Sequence, residues 1–241
     1  GLIRTPDGFL TSLNDVVPLE NGNNVAYFAN PASNINQQTF LRVVNTTGLS
    51  GTVTITGTDD VGMSSDGSVT FTLSAYESKQ MTAQDLEVGN AGKELTGSLG
   101  DGIGKWRLNI ASDLNLEAMS LIRTTDGFLT NLSGMAAANV EGDYPIYFAN
   151  PASEETRTTF LRIINVSEQI GDITISAVDD DGNLAPGGTV TFSLDPRAAK
   201  QLTAPDLEDG NLDKGLSGAL GDGVGKWRLT VSADVDIRVM S

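Results

Sequence analysis

Two clusters of aspartate stand out as residues that could do chemistry. Asp59-Asp60 in DDVG and Asp179-Asp180-Asp181 in DDDGN each follow an alternating apolar run and precede a glycine. Calcium takes six to eight oxygen ligands, and consecutive carboxylates on a tight loop could supply several. These five aspartates are therefore the candidate metal ligands, the second cluster being favoured because Asp181 replaces Val61. Neither cluster has the spacing of an EF-hand loop, and Asp-Gly is also an ordinary turn signal. Calcium is the one cofactor the sequence suggests, and none is required by it.

Other chemistries are excluded or weak. The chain has no Cys and no His, so thiol nucleophiles, Ser-His-Asp triads and zinc sites built on those ligands cannot form within it. LGDGIGK at 99–105 and LGDGVGK at 220–226 superficially suggest a phosphate loop. A Walker loop needs Gly where Leu99 and Leu220 stand, and Ser or Thr where Trp106 and Trp227 follow the Lys. Each reads instead as a glycine-permitted bend feeding a strand. Trp106 and Trp227 could stack on sugars, but each alternates with Arg and continues into aliphatic residues, the pattern of a core Trp. The sequons at Asn45, Asn131 and Asn165 matter only in a eukaryotic secretory host. No nucleophile is matched with a base, and the expectation is that the protein is not an enzyme.

What must position these residues is a duplicated unit. LIRTPDGFLTSLN at 2–14 recurs as LIRTTDGFLTNLS at 121–133, and everything after it returns in the same order. The repeat predicts two domains, 1–119 and 120–241. Each is long enough to bury its own core without disulfides. The net charge is −16, with 6 basic and 13 acidic residues in 1–119 and 9 and 18 in 120–241. So even an acidity repels phosphate backbones, which argues against a nucleic-acid partner and fits a solubilising surface. No apolar run approaches the roughly 20 residues that span a bilayer, so membrane insertion is not expected. The chain opens in mid-pattern, which suggests a mature product or an excerpt.

Along each repeat the periodicity is two. LIRT, a Pro6-Asp7-Gly8 turn and FLTSL predict a hairpin, with Asp126-Gly127 carrying the turn in the second copy. TFLRVVN and TFLRIIN read as central strands. GTVTITG places Val53 and Ile55 on one face, GDITISA does the same with Ile173 and Ile175, and VTFTL and VTFSL bury alternate residues. MTAQDLE and LTAPDLE predict a single capped helical turn, with Thr82 and Thr203 as N-caps and Asp85 and Asp206 three residues on. In the GKWRL strands Trp106, Leu108 and Ile110 share a face. LNLEAMSLIRT runs unbroken from the end of the first repeat into the second. Seven to nine strands per repeat, spaced by turn signals, predict an antiparallel β-sandwich.

The LIRTxDGFLT hairpin and the GxGKWRL strand, with TFLRVVN, GTVTITGTDD and VMS, resemble a repeat of large secreted or surface proteins of bacteria, with a form close to MSLLxSPTGHLTNLS. The resemblance covers nearly the whole chain and departs at Asp7-Gly8-Phe9 and Asp126-Gly127-Phe128. It implies two tandem antiparallel β-sandwich domains of immunoglobulin/fibronectin-like kind, extracellular or at the cell surface, and non-catalytic. Two roles follow as expectations. One is a structural or adhesive module of a surface array or fibre, joined head to tail with neighbouring repeats or copies of itself through residues 1–14 and 234–241. The other is a carbohydrate-binding accessory module of a secreted exoenzyme. That role predicts polysaccharide as partner and a row of exposed aromatics at Phe9, Tyr27 and Tyr76.

Overall fold

The computed structural model describes residues 2–4, 10–13, 15–134, 137–138 and 142–241. The chain divides into two compact units, Gly1–Gly134 and Met135–Ser241. Both are all-β and antiparallel, as the period of two predicts.

In unit 1 the strands are β1 (Leu2–Arg4), β2 (Leu10–Ser12), β3 (Leu19–Glu20), β4 (Asn23–Ala29), β5 (Gln37–Asn45), β6 (Gly51–Thr58), β7 (Val69–Leu73), β8 (Ser78–Thr82), β9 (Trp106–Ser112), β10 (Leu116–Thr124) and β11 (Leu129–Asn131), with a short helix α1 (Ala83–Val88) after β8. They form a five-stranded sheet in the order β3-β4-β9-β6-β7, a four-stranded sheet in the order β11-β10-β5-β8, and the β1–β2 pair. One core lies between the larger sheets. Leu41, Val43, Met81 and Ala118 enter it from one side, and Val53, Ile55, Phe71, Leu108 and Ile110 from the other. The threonines of β6 alternate outward, so the GTVTITG pattern is that of a strand with one face in the core.

Unit 2 repeats the plan with β12 (Ala137–Ala138), β13 (Asp143–Ala149), β14 (Phe160–Asn165), β15 (Gly171–Val178), β16 (Val190–Leu194), β17 (Ala199–Thr203), α2 (Ala204–Glu208), β18 (Trp227–Ala233) and β19 (Ile237–Met240). Its sheets run β13-β18-β15-β16 and β12-β19-β14-β17. Leu161, Ile163, Leu202 and Val239 of one sheet meet Ile173, Ile175, Phe192 and Leu229 of the other.

The sequence repeat restarts at Leu121, but β10 does not break there. It pairs with β5 from Leu116↔Asn45 to Thr124↔Gln37 without interruption. It then turns at Gly127 (φ +88°) into β11. The hairpin that opens the second copy of the sequence is thus built into unit 1. The Pro6-Asp7-Gly8 turn of the first hairpin lies outside the described residues, although its two strands are paired.

Candidate functional site

The aspartate turns follow β6 and β15. Asp59 is buried, and its Oδ1 accepts the N–H groups of Val61 (3.1 Å) and Met63 (2.9 Å), which closes the turn. Its Oδ2 accepts Ile103 N–H at 3.0 Å, and Asp60 Oδ2 accepts Lys105 N–H at 2.9 Å. Unit 2 does the same. Asp179 Oδ1 accepts from Asp181 (3.0 Å) and Asn183 (2.8 Å), its Oδ2 from Val224 (3.2 Å), and Asp180 Oδ2 from Lys226 (2.7 Å). The Asn183 N–H holds the Asp179 carboxyl below its usual range, with the Val224 N–H acting the same way. The aspartate pairs therefore clamp the glycine-rich loops to the sheet. Gly104 (φ +78°) admits this approach, since a Cβ there would stand 2.2 Å from Asp60 Oδ2. Asp181 is exposed and enters the turn through its backbone N–H. Among the described residues no group of three or more acidic side chains is placed to hold a metal ion.

The glycine loops lead directly into strands at Trp106 and Trp227. Both indoles are only 3% exposed, so neither offers a stacking face, and the core role is the correct one. Trp106 Nε1 donates to Glu87 Oε1 at 2.8 Å, and Glu87 also accepts Ala32 N–H at 3.2 and 3.1 Å. In unit 2 Trp227 donates to Glu208 at 2.6 Å, and Ala152 N–H donates at 3.0 Å to each oxygen. One carboxylate thus ties the tryptophan strand to the NPAS turn. The indole fits because Gly57 and Gly102 carry no Cβ, which would lie 2.6 and 2.4 Å from its ring.

The glutamates are placed by helices too short to stand on intrinsic propensity. Each is fixed by a capping box: Thr82 with Asp85, and Thr203 with Asp206. Asp85 also accepts Asn90 Nδ2 at 2.6 Å and Lys93 Nζ at 2.5 Å. Asp206 repeats this with Asn211 at 2.6 Å and Lys214 at 2.5 Å. Burial works to raise both carboxyls, but the lysine ammonium, the capped threonine and the asparagine amide together bring each down to about 2. The capping boxes were readable from sequence. The glutamate anchors were not singled out, although a signal existed: DLE follows the cap in both repeats, ahead of each tryptophan.

The sequons have a structural reason. Asn45 is buried; its Nδ2 donates to Leu49 O (2.6 Å) and Ser74 O (2.8 Å), and its Oδ1 accepts Thr47 N–H and Oγ1–H. Asn165 makes the same clamp with Gln169 O, Leu194 O, Asp195 O and Ser167. Asn131 donates to Asp15 O and accepts from Ser133. The N-x-S/T pattern here is an Asx turn.

The predicted aromatic row is not assembled. Tyr27 is 4% exposed, its hydroxyl donating to Glu20 at 2.5 Å, whereas Tyr76 is 72% exposed at φ +59°. Phe9 lies outside the described residues. Exposed aromatics occur elsewhere: Tyr147 (79%), Phe148 (61%) and Phe160 (51%). These are the unit 2 counterparts of Tyr27, Phe28 and Phe40, none of which is exposed. β19 pairs with β14 on one side and β12 on the other, and its register with β14 runs from Arg162 to Asn165. Comparison with protein-family models, with curated proteins and with solved structures finds no match. Among the described residues no helix is long and apolar enough to cross a membrane.

Proposed function

We propose that this chain is a non-catalytic structural or adhesive module of an extracellular bacterial array or fibre, in which units are joined end to end through terminal β-strands. The observation that carries this reading is β10, which closes the sheet of one repeat and opens the sequence of the next in a single strand. A repeat whose last strand is also the start of its successor suits serial connection. The capping, glutamate and asparagine clamps are duplicated and bear on loops and cores, which supports a load-carrying role. The resemblance to bacterial surface repeats points the same way. Electron microscopy of the concentrated protein tests it: linear assemblies are expected, and dispersed single particles at every concentration would remove the array.

The second reading, a carbohydrate-binding accessory module, is supported by the exposed rings of Tyr147, Phe148 and Phe160. Retention on insoluble polysaccharide that is lost in Phe148→Ala would favour it over the array.

A further inference from the structure

One end of the β5–β10 pair in unit 1 holds a pocket that neither reading above uses. β10 runs beside β5, with Arg123 opposite Gln38 and Leu121 opposite Phe40. Side chains two apart on a strand share a face, so Arg123, Gln38 and Phe40 converge. The Arg123 guanidinium lies 4.7 Å over the Phe40 ring, and its Nη2 donates to Gln38 Oε1 at 3.0 Å. Stacked and bonded in this way, the planar fork is held in place before any ligand arrives. In the loop before β5, Asn34 Oδ1 accepts the Gln37 N–H at 3.1 Å, and Ile35 is left 71% exposed. Gly127, at φ +88°, turns the chain on the other side. The result is a cavity of about 380 Å³ lined by Ile35, Gln38, Arg123, Thr124, Thr125 and Gly127. That volume falls within the range of small-molecule sites.

The polar groups lining the cavity have donors to spare. A guanidinium carries five N–H groups. Among the described residues Arg123 hydrogen-bonds to Gln38 alone and makes no ion pair. The Gln38 amide nitrogen and the Thr125 hydroxyl have no partner among those residues either. The chain has 31 acidic residues to 15 basic, yet no acid lines this cavity. Asp126, the acid of the turn, is engaged by the Thr124 hydroxyl and the Phe128 N–H (3.4 Å). Charges farther off than about 8 Å are screened at physiological salt, so the local guanidinium sets a preference for an anion. A planar fork accompanied by an amide and a hydroxyl donor matches a carboxylate with hydroxyls beside it. The aliphatic wall at Ile35 suits the C–H face of a ring.

We propose that this pocket binds a uronic-acid residue of an acidic polysaccharide. Arg123 takes its carboxylate, Gln38 Nε2 and Thr125 Oγ1 take its hydroxyls, and Ile35 takes the apolar face of the sugar. The site belongs to unit 1, because unit 2 has Glu155 and Thr158 at the positions of Ile35 and Gln38. It stands apart from the array and from the exposed rings of unit 2, and holds or falls without them.

The test uses the full chain in EDTA, so that calcium cannot bridge acid to acid, with polygalacturonate as the probe. Retention on the polymer is expected, and the same polymer with its carboxylates reduced to alcohols should not retain the chain. Arg123→Gln should weaken binding about tenfold or more, the loss of a charge-assisted pair. Arg123→Lys should recover part of it, since it keeps the charge and gives up the fork. Ile35→Asp alters an exposed residue, leaves Arg123 in place and should abolish binding by repulsion. Phe148→Ala should bind like the parent. No retention of the parent, or equal retention of Arg123→Gln, overturns the proposal. Equal retention on the reduced polymer overturns it as well, since a neutral sugar would then suffice. Polyglutamate bound as tightly as polygalacturonate overturns the sugar and gives the pocket to an acidic peptide. Retention lost in Phe148→Ala and kept in Arg123→Gln also overturns it and moves the glycan site to unit 2.

Discussion

β5 and β14 carry nearly the same residues, yet one is sealed along its length and the other is sealed only from Arg162 onward. Phe40 and Phe160 belong to the same motif, and what differs is whether a strand lies beside them. The exposure of an aromatic ring here is a property of its neighbour in the sheet. Below the edges the units are alike: each has a glutamate on a buried tryptophan, a capped helix holding a lysine, and an asparagine clamp.

That contrast can be tested from its strongest common element outward. Glu87→Ala leaves the Trp106 indole N–H and Ala32 N–H without their acceptor, at a cost of about 4 kcal/mol. Calorimetry should show unit 1 melting lower with unit 2 unchanged. Glu208→Ala should do the converse by the same amount, and unequal losses would break the equivalence of the cores. Next in size is Ile122→Ala, which truncates a side chain only 4% exposed and should cost unit 1 about 3 kcal/mol. Loss in unit 2 as well would show that the cover is not local to β5.

Acid should act on both units together. Asp85 and Asp206 have folded-state values of about 2 against an ordinary 3.8. A depressed carboxyl gives stability that is present above its unfolded value and lost as pH falls through its folded one. Between about pH 4 and pH 2 each unit should lose on the order of 2 kcal/mol. Asp85→Asn should remove that dependence from unit 1 alone in a pH series of denaturant midpoints. Smallest is the glycine pair against the indole. Gly102→Ala should cost about 2 kcal/mol by overpacking. Gly57→Ala should cost less, because unit 2 already holds Ala177 at the matching position.

The all-β class, the faces of β6, β7 and β9, the capping boxes and the core tryptophans were all legible, because alternation and cap chemistry act over a few residues. The aspartate pairs were legible as turns. Their partners Ile103 and Lys105 were not, since those bonds span more than 40 positions in the chain. The different pairing of β5 and β14 was hidden for a plainer reason. TFLRVVN and TFLRIIN are the same word to a reader of local pattern, and only pairing separates them.

The asparagine clamps have a practical consequence for making this protein. The Nδ2 atoms of Asn45 and Asn165 are spent on loop carbonyls and buried. An oligosaccharyltransferase could modify them only in a chain that has not yet closed. A sugar attached there would keep the β5–β6 or β14–β15 loop from forming, and a eukaryotic secretion host would be sorting molecules by whether folding outran glycosylation. Asn→Gln would not rescue such a preparation, because the longer side chain gives up the clamp. A host without that enzyme avoids the competition.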